Sequence, residues 1–282
     1  MRRRLTSALR IGAVAVLAAV LLPAIIEAIY VSPPIVFMDD RTRAAQITIG
    51  NNGDRAEEAT VELKFGFPDA DSAGTPYVRF VDDPGPEYAS AADWVRAFPQ
   101  RVRLEPRTQQ VVRLLARPPE TLPDGEYWTR VIVTGKGATL RVAGADSTVQ
   151  AGVSLEIRLV TSAIYRKGRV STGVALRGIN ADIDGDSLAV WAGMARTGNA
   201  GWLGTVDIDL VTARGNRVVG HWSTPLAVYY PMRRRFAYRL ANAPAAGDYR
   251  VRIRMRTDRP DLPAERVLPA PTVMDSVAVR VD

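Results

Sequence analysis

An all-β chain of two sandwich domains is what the sequence predicts, and three observations carry the prediction. After the N-terminal segment no stretch keeps a helical period. Short runs of Val, Ile, Leu and Tyr recur instead between turn residues, at spacings of roughly 8–12, the pattern of a β-sandwich. Second, Val149–Leu159 alternates strictly: Val149, Ala151, Val153, Leu155, Ile157 and Leu159 are apolar, with polar residues or glycine between them. That period of two puts one apolar row on one face of a long strand. Third, 282 residues at 47% apolar content are enough for two ordinary domains, each with its own core.

The chain begins Met1-Arg2-Arg3-Arg4 and continues into an apolar run from Ile11 to Ile26, then Glu27-Ala28. A basic start before a short apolar run has the form of an export signal, and residues 1–28 are assigned to it. The run is shorter than the roughly 20 residues of a comfortable membrane span. Ala28 suits a cleavage site, whereas Ile26 stands where a small residue is preferred, so an uncleaved anchor is the alternative. Four arginines and Glu27 give this segment +3, leaving +4 of the net +7 for the rest. So modest a charge gives little support to nucleic-acid binding. Cysteine is absent, which excludes disulfides, thiolate metal sites and a cysteine nucleophile.

The first domain, residues 29–160, reads as seven strands, an immunoglobulin-like count: Ile29–Met38, Ala45–Gly50, Ala59–Phe67, Arg101–Leu104, Gln109–Ala116, Glu126–Thr134 and Val149–Leu159. Asn51-Asn52-Gly53-Asp54 and Pro123-Asp124-Gly125 mark turns. Ser90–Ala97 reads as one helical turn, and Thr139–Val142 as a small hairpin arm inside the Gly135–Asp146 connection. The second domain, residues 161–282, reads as seven more: Gly173–Arg177, Ser187–Arg196, Leu203–Thr212, Arg217–Trp222, Arg234–Leu240, Tyr249–Thr257 and Ser276–Val281.

Tyr30-Val31-Ser32-Pro33-Pro34, Ile47-Thr48-Ile49-Gly50-Asn51, Val102-Arg103-Leu104-Glu105-Pro106, Gln109–Leu114, Leu122–Tyr127 and Ile157-Arg158-Leu159 follow one another along the first domain. In order and spacing they resemble the N-terminal domain of periplasmic pilus chaperones of the chaperone–usher family. Arg196-Thr197-Gly198-Asn199, Ala227-Val228-Tyr229 and Arg234-Arg235 resemble the C-terminal domain of its non-classical branch. The resemblance implies two immunoglobulin-like sandwiches set as an L with a cleft between them, in the periplasm, with no cofactor and no catalysis. It implies that the chain binds fimbrial (pilin) subunits by donor-strand complementation and passes them to an outer-membrane usher. Val149, Ala151, Val153, Leu155 and Ile157 match the donor positions, which lend an apolar row to a subunit lacking its last strand. Arg158 matches a basic cleft residue that holds the subunit's terminal carboxylate, a task suited to the guanidinium fork. The family's second basic residue falls here near Pro34, which cannot serve. Arg41, Arg43, Arg113 and Arg166 are the alternatives. When free, such a donor edge invites self-association.

The remaining signals point away from catalysis and metals. Asp182-Ile183-Asp184-Gly185-Asp186 lacks the spacing and distal Glu of a calcium loop and reads as an Asp-Gly hairpin turn. His221 is the only histidine, so a zinc site or a triad has little to build on. Trp94, Trp128, Trp191 and Trp202 read as core or rim aromatics. Arg250, Arg252, Arg254 and Arg256 stripe one face of a strand. They read as a solvated face relieved by cross-strand partners such as Asp207 and Asp209. The alternative function, an envelope protein binding anionic glycan or membrane, would use that stripe. Arg234 or Arg235 matches a position that the resembled family has near its domain interface, so Arg233-Arg234-Arg235 reads as structural rather than ligand-binding.

Overall fold

The computed structural model describes residues 29–143 and 150–282, with 136–143 and 150–155 described by their backbone alone. In the first half the strands are β1 (Ile29–Ser32), β2 (Ile35–Asp39), β3 (Ala44–Asn51), β4 (Glu57–Lys64), β5 (Gly66–Ala70), β6 (Pro76–Phe80), β7 (Val95–Phe98), β8 (Arg101–Leu104), β9 (Gln109–Ala116), β10 (Gly125–Ala143) and β11 (Gln150–Lys167). One sheet runs β1-β3-β9-β7 and faces another running β2-β11-β10-β4-β8. Period two explains the core between them: β4 turns Ala59 and Val61 inward and Glu58, Thr60 and Glu62 outward. Ile47, Ile49, Leu104, Val112, Leu114, Val131 and Val133 complete that core.

The expected strand Ile29–Met38 is two strands in different sheets. β1 pairs antiparallel with β3, and β2 pairs parallel with β11. The break falls at Pro33-Pro34, where two residues without N–H groups cannot continue a ladder. The expected strand Ala59–Phe67 likewise splits after Lys64, and its second part forms a separate hairpin, β5 with β6. The helical turn expected over Ser90–Ala97 gives way at Val95 to β7, which pairs with β9. Thr139–Val142 is no separate arm; it is the far end of β10.

The expected domain division at 160/161 falls inside β11, which stays paired with β10 as far as Lys167. The reason is burial. From Thr161 to Tyr165 every residue of β11 is buried: β2 and β10 flank its edges, Ala163 and Tyr165 pack in the first core, and Ile164 packs on the other face against Phe65 and Trp128. A strand covered on both faces loses its alternation, so the sequence pattern stops before the strand does.

The second half forms β12 (Thr172–Asp184), β13 (Ser187–Gly198), β14 (Trp202–Thr212), β15 (Val218–Val228), β16 (Met232–Arg239), β17 (Gly247–Arg256) and β18 (Val273–Val281). These are the seven expected strands, mostly longer at their ends. They make sheets β12-β13-β16 and β15-β14-β17-β18 around a second core of Val190, Met194, Trp202, Ile208, Phe236, Val251 and Ile253. Asp182–Asp186 is the expected hairpin: Asp184 faces Ser187 across a turn whose Gly185 has φ +56°, the left-handed region that glycine occupies without strain.

Candidate functional site

β10 and β11 pair for nearly their whole length, but their other neighbours are short. β4 follows β10 only from Arg130 to Gly135, and β2 follows β11 only from Ser162 to Arg166. Between those limits and their tips the two strands pair only with each other, from Lys136↔Glu156 to Ala143↔Gln150. The result is a two-stranded ribbon running out beyond both sheets. Among the described residues no strand pairs with the outer edge of β11 from Gln150 to Thr161. That leaves about 40 Å of strand edge open.

The apolar row lies along this edge. Leu159 packs on the first core and Ile157 is half-buried beside it. Leu155, Val153 and Ala151 continue the same face outward by the period of two, since the bulge between Lys136 and Thr139 inserts its extra residue in β10. Val149 lies outside the described residues. The row therefore starts inside the sandwich's own core and leaves it along the ribbon.

Arg158 is on the opposite, polar face. It is exposed and pairs with Glu156 at 3.2 Å. It stands eight residues before Arg166, about 26 Å along an extended strand, and so lies away from the seam between the sandwiches. The cleft position expected for it is not the one it occupies. The motif Ile157-Arg158-Leu159 suggested the cleft, but β11 runs on through Lys167 before the chain crosses over.

Other residues build the seam. Glu126 is 1% exposed. One of its carboxylate oxygens accepts from Arg166 Nε at 2.8 Å, and the other accepts from the Gly201 N–H at 3.1 Å. Its own N–H donates to the Asn199 carbonyl at 3.0 Å. Asn199 Nδ2 in turn donates to the carbonyls of Asp124 and Arg169. Burial pushes the Glu126 carboxyl above its ordinary range, against the pull of Arg166. β10 and the β13–β14 loop are thus joined through one buried carboxylate.

Beside this network lies a third apolar cluster containing Phe65, Phe67, Trp128, Ile164, Leu203, Tyr229 and Leu262. The Trp128 and Tyr229 rings are 4.2 Å apart, and those of Phe67 and Tyr230 4.4 Å. The Tyr230 hydroxyl accepts from the Ala89 N–H. Arg130 is buried in the same region. Its Nε donates to the Gly66 carbonyl at 3.0 Å, its Nη1 to Ser162 Oγ, and its guanidinium stands 5.9 Å from the Tyr229 ring. Its Nη2 has no hydrogen-bond partner, and burial lowers its pKa.

Sequence reasoning passed over Arg130, because one arginine in a run such as Trp128-Thr129-Arg130-Val131 reads as an outward-facing residue. Of the alternatives to Pro34, Arg166 does reach the seam but is engaged by Glu126. Arg41 and Arg43 sit in the β2–β3 turn near Asp39 and Asp40, and Arg113 is on β9 in the other sheet. The Pro34 carbonyl accepts a hydrogen bond from Thr161 Oγ1.

Three of the four arginines striping β17 meet carboxylates of β14, as the alternation suggested, while Arg250 donates to Ser276 Oγ at 3.3 Å. Asp207 faces Arg254 and Asp209 faces Arg252 in register. Asp207 accepts from Arg256 at 2.8 Å and from Ser223 at 2.8 Å, and pairs with Arg254 at 3.1 Å. Asp209 meets His221 at 2.7 Å and Arg252 at 3.8 Å. The described residues hold no group of three or more His, Asp or Glu side chains placed to bind a metal ion.

No protein-family model and no curated protein sequence matches the chain. Among solved structures it is similar to the YadV chaperone, at 12% identity and a TM-score of 0.44, covering 89% of this chain and 99% of that one. It is also similar to the Pseudomonas aeruginosa CupB2 chaperone, at 11% identity and a TM-score of 0.42, covering 89% and 100%. A third is the Salmonella enterica structure of the SafA pilin in complex with the SafB chaperone, at 13% identity and a TM-score of 0.41, covering 89% and 97%.

Proposed function

We propose that the chain is a periplasmic chaperone that captures a fimbrial subunit by adding the edge of β11 to it and then delivers it to an outer-membrane usher. The observation that carries the reading is the open edge from Gln150 to Thr161, with an apolar row that begins in the first core at Leu159. A β-sandwich subunit lacking one strand exposes two things: unpaired main-chain groups along the gap and an apolar groove beneath it. An added strand supplies both remedies. Its N–H and C=O groups pair with the gap whatever the subunit's sequence, and its alternate side chains enter the groove. Ala151, Val153, Leu155 and Ile157 stand at those alternate positions.

The basic start and apolar run of residues 1–28 support export. Delivery to an usher is supported by the sequence resemblance alone. The rival reading, anion binding through the β17 stripe, is weakened because Asp207 and Asp209 already engage Arg252, Arg254 and Arg256.

The test is co-expression of the chain with a small β-rich subunit from the same operon, followed by gel filtration. A one-to-one complex that Val153→Asp abolishes, with the variant still folded, supports the reading. A subunit that stays soluble and separate from the chain refutes it.

A further inference from the structure

The outer face of the sheet β12-β13-β16 carries arginines that the structure positions without neutralising. Arg177, Arg233 and Arg235 are exposed on that face. Arg177 and Arg233 flank Gly193 in register, and Arg235 stands opposite Trp191. Among the described residues no Asp or Glu lies within ion-pair distance of any of the three. Asp182 and Asp184 share the face but sit further along β12, opposite Ala189 and Ser187.

The contrast with the stripe on β17 is the informative part. There, each carboxylate of β14 faces an arginine. Here the partners are neutral. The Arg235 guanidinium lies 5.5 Å over the Trp191 ring. In the amide orientation that satisfies both its ends, the Asn180 carbonyl oxygen accepts from Arg233 Nη2 at 3.2 Å. A ring face and an amide oxygen hold a guanidinium in place but leave its charge and most of its donors available.

Arg233 spans the sheet at this point, reaching from β16 to Asn180 on β12. Side chains on β12 and β16 are two strand spacings apart, about 9.6 Å, and Gly193 on the strand between them has no side chain to obstruct that reach. It must be glycine, since a Cβ there would collide with the Arg177 carbonyl. The bulge at Arg177–Ile179, with Gly178 at φ +70°, produces that close approach and turns Arg177 relative to its neighbours.

We infer that this face is a binding site for a phosphate-bearing ligand. Three uncompensated cations on one sheet face repel one another until an anion of multiple charge sits among them. A phosphate group brings a charge near −2 and several acceptor oxygens suited to guanidinium forks. The ribbon of β10 and β11 plays no part in this site.

Inorganic pyrophosphate tests for a free phosphate ligand by titration calorimetry on the purified protein. Phosphatidylcholine vesicles with and without phosphatidylglycerol, in co-sedimentation, test for a lipid headgroup. Arg235→Gln and, on a separate strand, Arg177→Gln are each expected to weaken binding by at least about tenfold. Arg280→Gln, whose side chain pairs with Asp248 and Asp282, is expected to leave binding unchanged. Binding to pyrophosphate or to the anionic vesicles with that pattern of loss supports the site and names its source. Binding to neither probe overturns the inference. So does binding that survives both variants, or that Arg280→Gln weakens as much.

Discussion

Glu126→Gln isolates the buried charge at the seam with almost no change of shape. In the wild type both carboxylate oxygens accept, one from Arg166 Nε at 2.8 Å and one from the Gly201 N–H at 3.1 Å. A glutamine offers one acceptor and one NH2, so one of those donors loses its partner. An orphaned buried donor costs about 1–3 kcal/mol. Arg166, whose side chain is 11% exposed, also loses its counter-charge, and breaking one side of a buried pair costs about 3–5 kcal/mol altogether. At roughly 2–4 °C per kcal/mol for a chain of this size, the melting temperature should fall by about 6–20 °C. Differential scanning calorimetry gives the shift. Arg166→Leu added to Glu126→Gln should recover part of the loss, because the second change removes the stranded charge. A Glu126→Gln protein melting within about 2 °C of wild type would refute the claim that this carboxylate joins the two sandwiches. So would a double variant that is less stable than either single one by the sum of their effects.

Three further outcomes follow from the same geometry. Val153→Asp places a charge on the free ribbon rather than in a core, so the melting temperature should stay within a few degrees of wild type while any dimer formed through the open edge dissociates, as read by analytical ultracentrifugation. Arg158→Ala removes only an exposed pair worth under about 1 kcal/mol, so subunit capture should weaken by no more than about fivefold; complete loss in a pull-down would restore Arg158 as an essential anchor. Burial acts to raise the Asp207 pKa, but hydrogen bonds from Arg256 and Ser223 and the charges of Arg256 and Arg254 outweigh it, leaving the carboxyl below its ordinary value of 3.8. The stability it contributes is therefore full above that value and is lost as pH falls through the lower folded-state value. Melting curves of wild type and Asp207→Asn should converge below about pH 4, and curves that stay parallel there would contradict the assignment.

The architecture was legible where one face of a strand meets water. The row from Val149 to Leu159 announced itself because its polar residues alternate with apolar ones, and the β17 stripe could be paired with Asp207 and Asp209 from alternation alone. Legibility failed where burial is two-sided or a strand is short. Thr161–Tyr165 carries no alternation because both its faces are covered, Ala163 and Tyr165 by the first core and Ile164 by the third apolar cluster, so the domain division was set several residues early. β7 spans only Val95–Phe98, too little for a period to show. β6 is exposed at every position, which leaves no contrast to read. The seam was the hardest part. Glu126 on β10 and Gly201 in the β13–β14 loop are 75 residues apart in the chain, and their meeting depends on how β10 enters the sheet beside that loop. Arg158 was misplaced for a related reason: a three-residue motif fixes a position on a strand but not how far that strand continues. The arginines of β12 and β16 meet only through the pairing of both strands with β13.

Residue-resolved amide hydrogen exchange over Gln150–Thr161, with and without the captured subunit, tests the central claim most directly. In the free protein, N–H groups of β11 that point to β10 should be protected and the alternate ones on the open edge should exchange rapidly. In the complex those alternate amides should become protected as well, in the period-two pattern of an added strand. A stable complex in which they go on exchanging as in the free protein would contradict strand donation.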